Sequence, residues 1–345
     1  MNRKSYVSFL FVSLLVSVTF TYYYFLYTHE YPRGSSEEIA NFEAYKVFQT
    51  RILIPYMATL MSPTSPVLIY LFDWIVPYPI DYQVHLQIIN ISFLLLLLIS
   101  FPFLLRFLKC ESNNWLSLLL MIPISWNYIF INGFIDGTGL YYSYDIPSLS
   151  FFVIGLLLFC KKKWQWFYPI FIFSCLNRET SCFITLSGFV LLINIDKYEI
   201  NEIFKKNKSL FYHVFLQAII WTSIRLILSY IFRNNPGDFF EEPHSIGEFI
   251  YCIYLKESHW AMNNPRWFLS LFAGIWIIPL IFFRYLGPIG IKFLFIALCY
   301  TVALFLRSNM METRVYNELN IIISLCAFIS VKEWLFRNKI EDVKI

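Results

Sequence analysis

The sequence predicts an all-α polytopic membrane bundle of about ten transmembrane helices, with interfacial helices in its first outer loop. Three observations predict it. Of 345 residues, 58% are hydrophobic and only 14% are charged, whereas a soluble domain carries about 25% charged residues. Apolar runs of roughly 15–22 residues recur from end to end, a length matched to the hydrocarbon core of a bilayer. Basic and acidic residues segregate to opposite sides of those runs. These features exclude a soluble enzyme, a disordered tail and a nucleic-acid module; a net charge of +4 is too small to argue for a nucleic-acid partner. The seven Cys lie almost entirely inside apolar runs and offer neither a disulfide framework nor metal-ligand spacing.

The first run, 6–27, follows Arg3 and Lys4 and has no small-x-small cleavage site, so it reads as an uncleaved signal anchor with its N-terminus in the cytosol. Residues 28–81 form the first outer loop. Within it, 47–80 is apolar but broken by Pro55, Pro63, Pro66, Pro77 and Pro79. A crossing there would turn every later basic loop outward, so this stretch is expected to lie along the outer interface or re-enter it. Further runs fall at 82–105, 115–131, 146–160, 164–176, 181–195, 211–232, 266–283, 289–306 and 317–335, with a cytosolic tail at 336–345. Both termini are then inside, and the whole chain, 1–345, is one transmembrane domain. Charge supports this sidedness. About two thirds of the Lys and Arg fall inside, and about two thirds of the Asp and Glu fall outside. The clusters Lys161-Lys162-Lys163 and Lys205-Lys206-Lys208 are both cytosolic on this layout.

The runs 164–176 and 181–195 are unusual. Thirteen residues rise only about 20 Å against a hydrocarbon core of about 30 Å. The apex between them, Asn177-Arg178-Glu179-Thr180, is therefore expected at or below the outer headgroups, where charges need partners or a water-filled cavity. Three more polar clusters share that face. One is the first loop, with His29, Glu30, Arg33, Glu37, Glu38 and Glu43, followed by Gln49-Thr50-Arg51. Another runs from Asp136 to Asp145, and the last from Arg307 to Glu318.

Arginines beside carboxylates at headgroup depth suit a lipid-linked phosphosugar. Arg holds phosphate bidentately, and a carboxylate can take a proton from an incoming hydroxyl. The residues expected to hold the donor phosphate are Arg51, Arg178, Arg307 and Arg314. Glu30, Glu37 and Glu38 are the candidate bases, with Asn177, Glu179, Asp145 and Glu318 in support. Each also has a plainer reading. Glu37 and Glu38 can be solvated loop charges, and Arg178 with Glu179 an ion pair fixing the hairpin. Arg314 and Glu318 can be a helix-surface pair, Arg51 a headgroup anchor, and Arg225 a snorkelling residue. No HxxxH or HExxH spacing supports a metal site, and a divalent ion on the first-loop carboxylates is left open.

In layout the chain resembles the C-type (GT-C) superfamily of polytopic glycosyltransferases, especially small bacterial members. The residues carrying the resemblance are the acidic first outer loop, QTRILIP at 49–55, YSYDIPSL at 142–149, LNRET at 176–180 and ETRVYNEL at 312–319. The resemblance implies transfer of a sugar from a polyprenyl-phosphate donor to a glycan or lipid acceptor, with a first-loop acid as base. It also implies a bacterial plasma membrane with the site on its extracytoplasmic face. Three alternatives remain. An oligosaccharide polymerase or ligase would use similar outer arginines. A transporter or flippase would show paired halves and broken helices, and an assembly subunit of a glycan-export system would need no chemistry.

Overall fold

The structure, a computed structural model, describes residues 3–61, 81–110, 113–135, 139–193, 200–238, 265–307 and 313–342. Most of the proline-broken stretch and most of the 233–265 loop lie outside the described residues, as do 136–138, 308–312 and the side chains of Arg307 and Arg314.

The first long helix, α1 (Arg3–Tyr27), covers 25 residues and spans about 37 Å, enough to cross the hydrocarbon core with some tilt. The chain then runs through a two-residue strand, β1 (His29–Glu30), and three short helices: α2 (Ser36–Ala40), α3 (Lys46–Gln49) and α4 (Leu53–Met61). The next long helix, α5 (Asp81–Phe107), keeps Pro102 inside it. A helical segment of mixed geometry follows: 3-10 over Asn114–Leu120, α6 over Met121–Ser125, and a π-helical stretch over Trp126–Ile135. Strand β2 (Leu140–Tyr141) pairs in parallel with β1, His29 opposite Leu140 and Glu30 opposite Tyr141.

Helices α7 (Asp145–Cys160), α8 (Trp164–Asn177) and α9 (Cys182–Leu192) are the short ones. At 14 residues α8 rises about 21 Å, less than the roughly 30 Å thickness of a hydrocarbon core. Beyond them come α10 (Ile200–Lys206), α11 (Lys208–Ile231), α12 (Ile277–Ile281), α13 (Gly287–Arg307) and α14 (Asn317–Asp342). Helix α7 lies at the centre, packed against α5, α8, α9 and α14, and nearly all its residues are buried. Helix α1 packs on α5, α13 on α14, and α11 lies at the edge against α8 and α9.

Six helices among the described residues are long and apolar enough to cross a membrane, with Asp145–Cys160 and Glu179–Leu192 as shorter apolar helices. One expected span differs. The run 266–283 is not a continuous helix: a 3-10 segment over Pro265–Gly274 is broken, and only Ile277–Ile281 is α-helical. Phe272, Ala273 and Gly274 take φ of 58°, 54° and 71°. Three consecutive left-handed residues cannot continue a right-handed helix. The unwound backbone is satisfied from outside, since Phe272 N donates to Asn127 Oδ1 at 2.8 Å.

Candidate functional site

All four polar clusters contribute side chains to one pole, brought together by the ends of α3, α7, α8 and α14. Arg51, just past α3, makes a two-pronged pair with Glu179: Nε to Oε2 at 3.1 Å and Nη2 to Oε1 at 2.6 Å. Its Nη1 donates to the Tyr144 hydroxyl, and its guanidinium lies over the Tyr144 ring at 4.7 Å. On the ring's own account a second cation approaches, the Arg178 guanidinium at 6.0 Å. Tyr144 therefore contacts both arginines.

Arg178 donates through Nη1 to Asp145 Oδ1 at 3.1 Å, and both side chains are almost fully buried, 6% and 1% exposed. Arg178 Nε has no hydrogen-bond partner among the described residues. Arg178 and Glu179 do not form the hairpin-fixing ion pair that the plainer reading of the sequence allowed. The two neighbours take different principal partners because Arg178 has extended backbone between α8 and the following 3-10 turn, φ −157° and ψ 148°, so they diverge. Arg225 also differs from expectation. Rather than snorkelling away, its Nη2 donates to the Cys175 carbonyl, where it acts electrostatically on Glu179 together with Arg51 and Arg178. Trp221 Nε1 donates to the Glu179 carbonyl at 2.9 Å.

Glu318 is buried, not on the helix surface. It accepts from Thr180 Oγ1 and from the Tyr300 hydroxyl. Asn177 Nδ2 donates to the Tyr144 carbonyl at 3.0 Å, and Asn317 Nδ2 to the Asp145 carbonyl at 2.7 Å and to Ser148 Oγ. Together Arg51, Arg178 and Arg225 face Asp145, Glu179 and Glu318, so the cluster is close to electroneutral when all six are charged. Neutrality is what allows six ionisable groups to persist at this depth.

The first-loop acids separate. Glu30 is half-buried beside this cluster. Its Oε1 accepts from Ser36 N at 3.1 Å and from Ser36 Oγ, and Ser36 Oγ lies 2.8 Å from Ser143 Oγ, next in sequence to Tyr144. Burial pushes the Glu30 carboxyl up to about 7, against the lowering effect of the two Ser36 hydrogen bonds, with nearby Glu37 and Glu38 adding repulsion. Glu37 is exposed on α2, and Glu38 is half-buried, its backbone N–H capped by Ser35 Oγ. No hydrogen bond or ion pair is found between Glu37 or Glu38 and the arginines among the described residues.

The loop is held by its own sequence. Gln49, fully buried, donates to the Ile39 carbonyl and accepts from Ala44 N. Phe48 stacks on Tyr142 at 5.3 Å, and a Cβ on Gly34 would come within 2.5 Å of the Phe48 ring, so only glycine fits there. Gly139, with φ +55°, makes the turn into β2. Asn235, beyond α11, donates to the Phe42 and Ala44 carbonyls and closes the loop from the other side.

Arg51, Glu30, Asp145, Asn177, Arg178, Glu179 and Glu318 were all singled out from sequence. Tyr144, Tyr300, Asn317, Arg225 as a site residue, Ser36 and Ser143 were not. Tyr144 and Ser143 fall within YSYDIPSL and Asn317 within the 307–318 cluster without a role of their own; a polar residue inside an apolar run was the available signal for Arg225, and nothing marked Tyr300. Among the described residues no three His, Cys, Asp or Glu side chains gather as a metal-holding set. A separate apolar furrow of about 510 Å³ lies between α1 and the 121–130 segment, lined by Val16, Phe20, Tyr23, Tyr27 and Ile129 among others.

The spans and the buried charge cluster define an integral, multi-pass membrane protein with an all-α bundle. Comparison with protein-family models, with curated proteins and with solved structures gives no match.

Proposed function

We propose that this chain is a membrane glycosyltransferase of GT-C-like architecture, moving a sugar from a polyprenyl-phosphate donor to a glycan or lipid acceptor. On this reading α7, α8, α9 and the broken segment from Pro265 to Ile281 add to the six long spans to make ten crossings, and the site opens on the extracytoplasmic face of a bacterial plasma membrane. One observation carries it: three guanidinium groups surround a single carboxylate, Glu179, whose side chain is 40% exposed although Arg51 is only 11% exposed. Arginines concentrated at the apex of a short hairpin are suited to an anionic group arriving from the headgroup layer.

In the proposed reaction the donor phosphate displaces Glu179 from the fork of Arg51, exchanging one bidentate anion for another. Arg178 stays with Asp145 and contributes positive potential, and Arg225 adds to it. Glu30 accepts the proton of the acceptor hydroxyl, directly or through Ser36 and Ser143. The acceptor oxygen bonds to the anomeric carbon as the bond from that carbon to the phosphate oxygen breaks. The polyprenyl phosphate leaves with both electrons, and Arg51 stabilises its developing charge. The furrow beside α1 offers an apolar seat for a prenyl chain.

The test is transfer from polyprenyl-phosphate sugars by the full chain in proteoliposomes. Arg51→Ala should lower turnover by roughly 100-fold or more, the scale of a lost anion-stabilising donor. Arg51→Lys should restore only part, because a point charge does not reproduce the fork. Full activity in Arg51→Ala, with wild type active, would remove the proposed role.

A second reading, a transporter or flippase of lipid-linked glycans, is favoured by the unwound backbone at 271–274. Asn127 holds that backbone, and a buried chain of Asn127, Asn320, Asn317 and Asp145 leads from it to the charge cluster. Movement of a fluorescent lipid-linked glycan across proteoliposomes, with no transfer, would favour it.

A further inference from the structure

The bundle carries a second charged pole, remote from the Arg51–Glu179 pair. Helix α8 separates the two: Arg178 follows its last residue, and Lys163 precedes its first, about 21 Å away along the axis. Lys161, Lys162 and Lys163 are all exposed in the turn between α7 and α8. Lys205, Lys206 and Lys208 are exposed where α10 meets α11. The two groups belong to one surface, because Trp164 stacks on His213 with ring centroids 3.7 Å apart, and Tyr168 bonds the same imidazole at 2.7 Å. Phe204 stacks on Phe211 at 4.5 Å, which fixes α10 against α11.

Asp196, Glu199 and Glu202 fall in the intervening sequence with Lys197, a net charge of −2 that the six lysines outweigh. Below the lysines the surface turns aromatic. Trp166, Phe204, Tyr212 and Phe215 are all more than half exposed, and α11 is the least buried of the six spans. A cluster of lysines over exposed aromatic rings, on helices whose outer faces nothing among the described residues covers, matches the layering of a phospholipid: anionic headgroup, interface, acyl chain.

We propose that the surface formed by the α7–α8 turn, α10 and the start of α11 binds anionic phospholipid headgroups. Each lysine near an anionic surface raises affinity by roughly fivefold, so six lysines acting together give a lipid preference large enough to measure. The preference falls as salt rises, because the lysines are exposed.

The experiment uses the purified full chain, delipidated and then equilibrated with equal phosphatidylglycerol and phosphatidylcholine, with retained lipid counted by native mass spectrometry. Wild type should retain phosphatidylglycerol at least tenfold over phosphatidylcholine. A variant with Gln at all six lysines should lose at least tenfold of that preference. A three-site variant, Lys161→Gln, Lys162→Gln and Lys163→Gln, serves if the six-site protein does not fold, and should lose part of it. Arg33→Gln with Lys46→Gln, at the opposite pole, should leave the preference intact. Equal retention of the two lipids, an unchanged preference in the lysine variants, or equal loss in the opposite-pole variant would each overturn the proposal.

Discussion

Removing one partner of the Arg178–Asp145 pair is the perturbation whose cost the structure defines best. The pair spans 3.1 Å, and its side chains are 6% and 1% exposed, so water cannot replace a missing partner. Asp145→Asn would leave Arg178 facing a neutral amide, with Nε already lacking a hydrogen bond. Breaking a buried pair from one side costs about 3–5 kcal/mol, because one charge stays buried without its counterion. Arg178→Met should cost a similar amount by stranding Asp145. The double variant removes both charges and should recover at least about 2 kcal/mol of the summed loss. Unfolding of the three variants and wild type in mixed micelles, by denaturing-detergent titration, gives the full cycle. Single-variant losses below about 1 kcal/mol, or additivity within about 0.5 kcal/mol, would refute the assignment of a dry, coupled pair. The contrasting pair is Arg51 with Glu179, where the carboxylate is 40% exposed and little stability is at stake.

Other consequences can be checked alongside. Glu30 is held up to about 7 by burial, above the roughly 4.3 of a free glutamate. The folded state therefore binds this proton more tightly, its stabilising effect being complete below about pH 4 and lost as pH rises through 7. Transfer activity should instead rise through about pH 7 as Glu30 ionises, and Glu30→Gln should abolish that limb of the pH–rate profile. Gly34→Ala places a Cβ 2.5 Å from the Phe48 ring; overpacking of about 1–3 kcal/mol should appear as lowered thermal stability with reduced activity. Ala273→Gly should stabilise by about 1 kcal/mol in the same unfolding assay, because Ala273 sits at φ 54° and glycine accepts that region without strain.

Much of the candidate site is legible in the amino-acid sequence. Buried charge in an apolar sequence needs a reason, so Arg178, Glu179 and Asp145 stood out against the runs around them. Partner choice was not legible. Adjacent Arg178 and Glu179 look like a pair in sequence, but an extended φ at Arg178 sends them to Asp145 and Arg51, the latter 128 residues from Glu179. Glu30, Glu37 and Glu38 are equivalent in a linear reading. Only the parallel pairing of β1 with β2, which carries Glu30 with its Ser36 partner beside Ser143, sets Glu30 apart from Glu37 and Glu38.

Hydropathy and charge alone determined that this is a membrane bundle, where most helices begin and end, and which residues are costly to bury, since these depend on transfer from water summed over local windows. The tertiary structure decided the rest. It broke the 266–283 run, because a backbone bond to Asn127 from another helix can replace a helical one. It turned Arg225 inward and set Tyr144 against two arginines, contacts between segments far apart in the chain that no local window contains.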